Sequence, residues 1–352
     1  MSLFSDEPAP RITTLVDLKR ELDHKVAQPI LPTARGYVAL SEEARDAFNR
    51  QRMAYLRPDS LIVDTPQTFR INKATARAIL LNRGLLISGP AAIGKTTAAI
   101  HAMRMAQNEY SRQFPHWRQQ GKIPIVYVEA PPSATGRAVV KRFARFLGLP
   151  DRKKETLDSL QATVVSILRK AGTRLVVVDE LHRLAKHSPG NGESVDVLRD
   201  LATALGATFI YAGVNIHVSD LLLGERGQQI SERFALQSLT PFTGANTDDW
   251  ADWDDIVRSF EEKIPLMSHK VGDLASQSRY LFDRTQGRIN GLSDLLTGAA
   301  KLLIFQEVTA AEERITLELL DEIDLSVATE RASEHAAARS SLRRKTARTR
   351  HS

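Results

Sequence analysis

Short apolar runs alternate with helical periodicity through the first two thirds of the chain. "LLISG", "IPIVYVE", "RLVVVDE" and "ATFIYAGV" are runs of four to eight residues rich in Val, Ile, Leu and aromatics. They lack polar alternation, which predicts strands buried on both faces. Helical stretches precede and separate them. "SEEARDAFNRQRMAYL" opens with Ser41 as N-cap and Glu42 and Glu43 in its first turn. "TPQTFRINKATARAILLN" leads into the first strand. "GRAVVKRFARFLGLP" stops near Gly148 and Pro150, and "TLDSLQATVVSILRKAG" stops at Gly172. Strands separated by helices of this length predict a parallel sheet in an α/β fold. Residues 1–40, rich in proline and threonine, read as an irregular arm. After residue 245 the pattern changes to an acidic stretch with Trp250 and Trp253, then to helices with no strand signal. The expected organisation is an arm and helix over 1–56, an α/β nucleotide-binding domain over 57–245, a small α-helical lid over 246–330 and a basic tail over 331–352.

The first strand runs into "GPAAIGKT" and then a helix, the spacing G-x-x-x-x-G-K-[ST] of a phosphate-binding loop. Glycines let backbone N–H groups turn toward phosphate, and the helix N-terminus adds positive potential. The expected nucleotide contacts are Gly89, Pro90, Ala91, Ala92, Ile93, Gly94, Lys95, Thr96 and Thr97. Lys95 is expected to reach the β- and γ-phosphates, and Thr96 to hold Mg²⁺ through its hydroxyl. "RLVVVDELH" places two acids at the carboxyl end of a strand, where ligands bind in open α/β sheets. Asp179 is expected to orient the metal and Glu180 to polarise the attacking water. His182 either relays a signal to Glu180 or is simply packed. Asn215, ending "TFIYAGVN", either places the water or caps a loop.

Two arginines, Arg226 and Arg233, precede a further short apolar run. Either can reach from a neighbouring subunit to a transferring phosphoryl group. Arg233 is the better placed, just ahead of the strand. Arg288 opens a C-terminal helix and is expected either to approach the nucleotide phosphates or to serve as a cap.

The chain has 352 residues, 42% apolar and 26% charged, without cysteine. This excludes disulfides, thiolate zinc sites and a cysteine nucleophile. No apolar run reaches the ~18 residues of a membrane span, and the acidic "MSLFSDEPAP" start lacks a signal-peptide pattern. A cytoplasmic protein is expected. The net charge of +6 equals the basic residues of 339–352, where no acid occurs, so residues 1–338 are neutral. That tail suits nucleic-acid phosphates, an acidic partner or plain solvation. A second basic feature is local. Arg137, Lys141 and Arg145 recur at i, i+4, i+8 on one helix face with no base-stacking aromatic, which is either a plain solvated face or a surface for duplex DNA read without sequence preference.

"GPAAIGKT", "VVVDELH", "SERF" and "GRINGL" in this order look like an AAA+ ATPase. "IPIVYVEAPPSATGRAVVKRFARFLGLP" and "KIPLMSHKVGDLASQSRYLFDRTQGRINGLSDLLTGAAKLLIF" resemble the TniB/TnsC family of transposition ATPases, roughly over residues 45–325. The resemblance implies an AAA+ P-loop NTPase fold with a central parallel sheet and a helical lid. It also implies that ATP and Mg²⁺ are bound and that subunits assemble as rings or helical filaments on duplex DNA. A transposase and a target-selector protein are the implied partners, and hydrolysis drives disassembly. By the same matching Gly89, Gly94, Lys95 and Thr96 take Walker A roles, Asp179 and Glu180 Walker B roles, and Arg233 the finger. Many members have Gly-Thr where this chain has Gly213, Val214 and Asn215. A helicase loader or initiator of the same superfamily, and a nucleotide-gated protein-binding switch, are the competing readings.

Overall fold

The computed structural model describes residues 12–23, 27–57, 61–132, 135–151, 154–185, 191–219, 232–326 and 329. They form two compact units. One takes the described residues up to Asp23 and from Pro66 to Thr240; the other takes those from 27 to Thr65 and from Pro241 onward.

The first unit is α/β. Its strands are β1 (Gly84–Gly89), β2 (Ile125–Glu129), β3 (Leu175–Asp179), β4 (Thr208–Val214) and β5 (Phe234–Ser238). All are parallel, in the order β2-β3-β4-β1-β5. β1 and β3 are buried throughout, as unbroken Leu, Ile and Val runs require of strands covered on both faces. β5 lies at the edge and is largely exposed. "IPIVYVE" pairs only from Ile125, because Pro124 has no N–H; its carbonyl instead accepts from Arg174 and Leu175. Helices Pro66–Leu81 and Lys95–Gln113 pack together, as do Gly136–Phe146, Leu157–Lys170 and Asn191–Leu205.

The supposed irregular arm contains a helix, Leu15–Asp23. Asp17 accepts from the N–H groups of Thr13 and Thr14, and its own N–H donates to Thr14 Oγ1. Leu18 and Leu22 are buried in the core of this unit. The helix is a capped amphipathic turn too short to show a period in a proline-rich setting.

The second unit is helical: Ala34–Val38, Glu42–Tyr55, Thr247–Lys263, Ser278–Thr285, Ile289–Phe305 and Leu317–Asp321. Ser41 caps its helix as expected, accepting from Ala44 N–H at 3.3 Å. Trp253 is fully buried among Ile256, Phe260 and Leu292. Arg52, also fully buried, donates to both carboxylate oxygens of Glu313 at 2.6 and 3.0 Å and to Asn49. This two-point pairing ties Glu42–Tyr55 to the C-terminal segment. No helix among the described residues is long and apolar enough to cross a membrane.

Candidate active site

β1 ends in a tight loop that only certain residues can make. A Cβ on Gly89 would stand 2.4 Å from the carbonyl oxygen of Leu239, so hydrogen alone fits there. The backbone is left-handed at Ala92 (φ 56°) and Gly94 (φ 88°), and the helix starts at Lys95. These turns bring Lys95 under the loop, where its Nζ donates to the Pro90 carbonyl at 2.6 Å. Lys95 is only 6% exposed. Burial depresses its pKa, against the opposing pull of the Asp179 and Glu180 charges. Among the described residues no carboxylate lies within ion-pair range of it. A buried ammonium beside a helix N-terminus, satisfied only by a carbonyl, is a fitting counter-charge for a polyphosphate.

β3 delivers the acid pair to the same crevice. Thr96 Oγ1 donates to Asp179 Oδ2 at 2.6 Å, Tyr127 OH donates to the same oxygen at 3.1 Å, and Glu180 N–H donates to Oδ1 at 2.7 Å. Asp179 is almost fully buried. Burial raises its pKa, and the three hydrogen bonds pull the other way. A hydroxyl and a carboxylate in direct contact at the loop are suited to hold a divalent cation on a bound nucleotide. Asp179→Asn is therefore expected to lose that cation and yet melt higher than the parent. The folded carboxyl binds its proton more tightly than the unfolded one, so the carboxylate weakens the fold as pH rises above the ordinary carboxylate range. Asn removes that penalty, and the two hydroxyls can turn to accept from its amide. Thermal melts of parent and variant at acid and neutral pH check this. A lower melting point for the variant at neutral pH counts against it.

Glu180 follows in a left-handed conformation, φ 56°. This twist turns its side chain back into a cluster the sequence did not announce. Arg183 donates to Glu180 Oε2 at 3.1 Å and to Glu129 Oε2 at 3.2 Å. Glu129 is the register partner of Asp179 on β2. The pattern E-L-H-R is an i,i+3 acid–base pair, which was the available sequence signal for Arg183. Tyr127 and Glu129 carried none, since their meeting with β3 depends on strand order. His182 Nδ1 accepts from Val214 N–H at 3.3 Å, leaving the proton on Nε2, 3.7 Å from Glu180 Oε2. Burial holds the imidazole pKa down, against the attraction of Glu180.

Asn215 directly follows β4, the strand between β1 and β3. It is left-handed (φ 45°), its N–H donates to the Gly89 carbonyl at 3.1 Å, and its side chain makes no cap bond to the turn Ile216–Val218. A residue not foreseen, His217, joins this rim through a 2.6 Å bond between Nδ1 and Ser88 Oγ.

Arg233 immediately precedes β5 at the amino end of the sheet, with its carbonyl bonded to Gly84 N–H. Arg288 is the N-cap residue of Ile289–Phe305, in the helical unit. Arg137, Lys141 and Arg145 share one hollow of about 580 Å³ with Arg142, and Lys141 is ion-paired with Asp151 at 2.9 Å. Arg226 and the basic tail lie outside the described residues.

Residues 73–243 match the family described as TniB, bacterial TniB protein. Over that segment, just under half of the chain, the protein is similar to the TniB family. Solved structures agree on the fold. The Aeropyrum pernix ORC1 protein, in complex with DNA, is similar at a TM-score of 0.57 and 18% identity over 77% of this chain and 68% of that one. The Aeropyrum pernix ORC2 protein, in ADPNP–ADP complexes, is similar at 0.55 and 13% over 76% and 70%. No curated protein sequence matches the chain. The α/β unit thus has an AAA+ P-loop NTPase fold, with the acid-bearing β3 separated from the loop-bearing β1 by β4.

Proposed function

We propose that this protein is an ATP-hydrolysing regulator of transposition. It assembles on target duplex DNA with ATP bound, recruits a transposase, and comes apart on hydrolysis. The observation that carries the ATPase reading is the direct Thr96–Asp179 bond across the crevice, with Lys95 below it and Glu180 beside it. The transposition reading is supported by the TniB match over 73–243.

In this reading Lys95 and the loop 89–97 bind the triphosphate. Thr96 and Asp179 would hold Mg²⁺, which supplies charge neutralisation on the phosphates. Glu180 accepts a proton from water as its oxygen bonds to the γ-phosphorus and the bond to the β–γ bridging oxygen breaks, giving ADP and phosphate. Asn215 orients that water. Arg183 holds the Glu180 carboxylate in place beforehand. Arg288 is a candidate contact to the phosphates from the helical unit. The ORC1 neighbour solved with DNA keeps an initiator-type reading in view. Binding of a transposase rather than a replicative helicase separates the two.

The DNA face is assigned to Arg137 and Arg145, with Lys141 secondary because Asp151 already neutralises it. With a non-hydrolysable ATP analogue, the protein is expected to be retained on duplexes of unrelated sequence, and not without nucleotide. Replacing Arg137, Lys141 and Arg145 by Gln should flatten the slope of log affinity against log salt by about 1.8 per subunit, roughly two phosphates rather than three. The salt titration is run beside protein truncated after residue 338. Loss of binding on truncation alone, with the triple variant like the parent, moves the DNA face to the tail. ATP-independent retention, or none, sinks the assembly reading.

A further inference from the structure

Arg83 and Arg233 are neighbours across two strands. β1 and β5 run parallel with Gly84 opposite Phe234, and Gly84 N–H donates to the Arg233 carbonyl at 3.1 Å. The residue before each of this pair is an arginine. Each arginine immediately precedes its strand, and both line one hollow of about 330 Å³ at the amino edge. Its walls are Phe209, Tyr211 and Phe234. Phe234 stacks on Tyr211 with centroids 4.7 Å apart. Its ring also lies over Gly84, where a Cβ would be 2.3 Å away. The turn that carries Arg83 is therefore held in place by an aromatic pair.

The charge at this edge is unbalanced. Arg199, on the same hollow, is held by Asp196 at 3.2 Å and Asp200 at 3.6 Å. Among the described residues Arg83 and Arg233 have no carboxylate within ion-pair distance; Glu232 lines the hollow without reaching either. Two guanidinium groups on one hollow repel unless an anion is taken up there, and guanidinium forks match a phosphate oxygen edge well. The protein's own nucleotide is not that anion. The phosphate loop is at the far end of β1, about 20 Å along six residues of strand.

We infer that Arg83 is a second phosphate-binding residue, which with Arg233 clamps the γ-phosphate of ATP held by a neighbouring copy of this chain. The inference rests on the proposed reading of Arg233 as acting in trans and extends it to a two-arginine site. ADP lacks the γ-phosphate oxygens, so the clamp closes on ATP and opens after hydrolysis, which ties assembly to nucleotide state.

The test uses full-length protein. Arg83→Gln is expected to lower turnover in the assembled state by roughly ten- to a hundredfold, the loss of one charge-assisted contact. It should leave the dilute protein's affinity for a fluorescent ATP analogue unchanged. Turnover should return on mixing with Lys95→Ala protein, whose own loop is disabled but whose Arg83 is intact. Mixing with Lys95→Ala that also carries Arg83→Gln should restore none. Arg83→Lys, which keeps the charge and not the fork, should fall between parent and Arg83→Gln, with melting temperature as a check on folding. If Arg83→Gln turns over like the parent while Arg233→Gln does not, the inference is overturned and the single-arginine reading stands. If both turn over like the parent, both fall. A slow Arg83→Gln that Lys95→Ala cannot rescue places Arg83 within its own chain's chemistry and overturns the inference. So does weaker DNA retention with unchanged turnover, which would turn these arginines toward DNA.

Discussion

Glu180→Gln is expected to bind ATP like the parent and to turn it over roughly 10²- to 10⁴-fold more slowly, the usual worth of a positioned general base. The amide has nearly the same shape. Its oxygen can still accept from Arg183, which sits 3.1 Å from the present carboxylate, and the left-handed backbone is unaffected because no backbone atom changes. What is lost is the acceptor for the water proton. Phosphate contacts come from Lys95 and the loop, so affinity stays. Lys95→Ala should do the reverse: it removes the buried ammonium and with it nucleotide binding. The pair is read by titration with a fluorescent ATP analogue and by single-turnover hydrolysis on the assembled protein. Equal turnover by Glu180→Gln and the parent would remove Glu180 from its role. Loss of binding by Glu180→Gln would mean the loop itself was disturbed.

Arg233→Ala is expected to cost about 10³-fold or more in turnover, the scale of an arginine finger, and only where subunits are assembled. The sheet sets this condition. Arg233 stands at the amino end of β5, and the phosphate loop leaves the carboxyl end of β1, the strand beside it. In a parallel sheet those ends are one strand length apart, so the two meet only between copies. Dilute protein should therefore show the same slow turnover with or without Arg233. Mixing Arg233→Ala with Lys95→Ala should recover part of the lost rate, since each supplies what the other lacks. Intact assembly with no recovery would place Arg233 outside the reaction.

The loop 89–97, the acid pair and the strands that carry them were legible because each is a local pattern. A glycine spacing, a run of Val before two acids and a serine before Glu-Glu are read within a few residues, and the backbone they specify is set by sterics and capping over the same range. The Thr96–Asp179 contact was foreseeable as a role, though only strand order made it a bond. The helix Leu15–Asp23 was missed because its stability comes from burying Leu18 and Leu22 rather than from propensity. Tyr127 and Glu129 reach the acids because β2 happens to pair with β3 in a register that sets Glu129 opposite Asp179. Arg183 was spaced correctly from Glu180, yet its bridge to Glu129 depends on that same pairing. Arg83 and Arg233 lie far apart in sequence and become neighbours through the β1–β5 ladder. Local sequence dictates which chemical groups each strand end presents. Which of them meet is settled by the assembled sheet, because pairing between strands distant in the chain is chosen by burial and register over the whole sheet, and no local pattern encodes that choice.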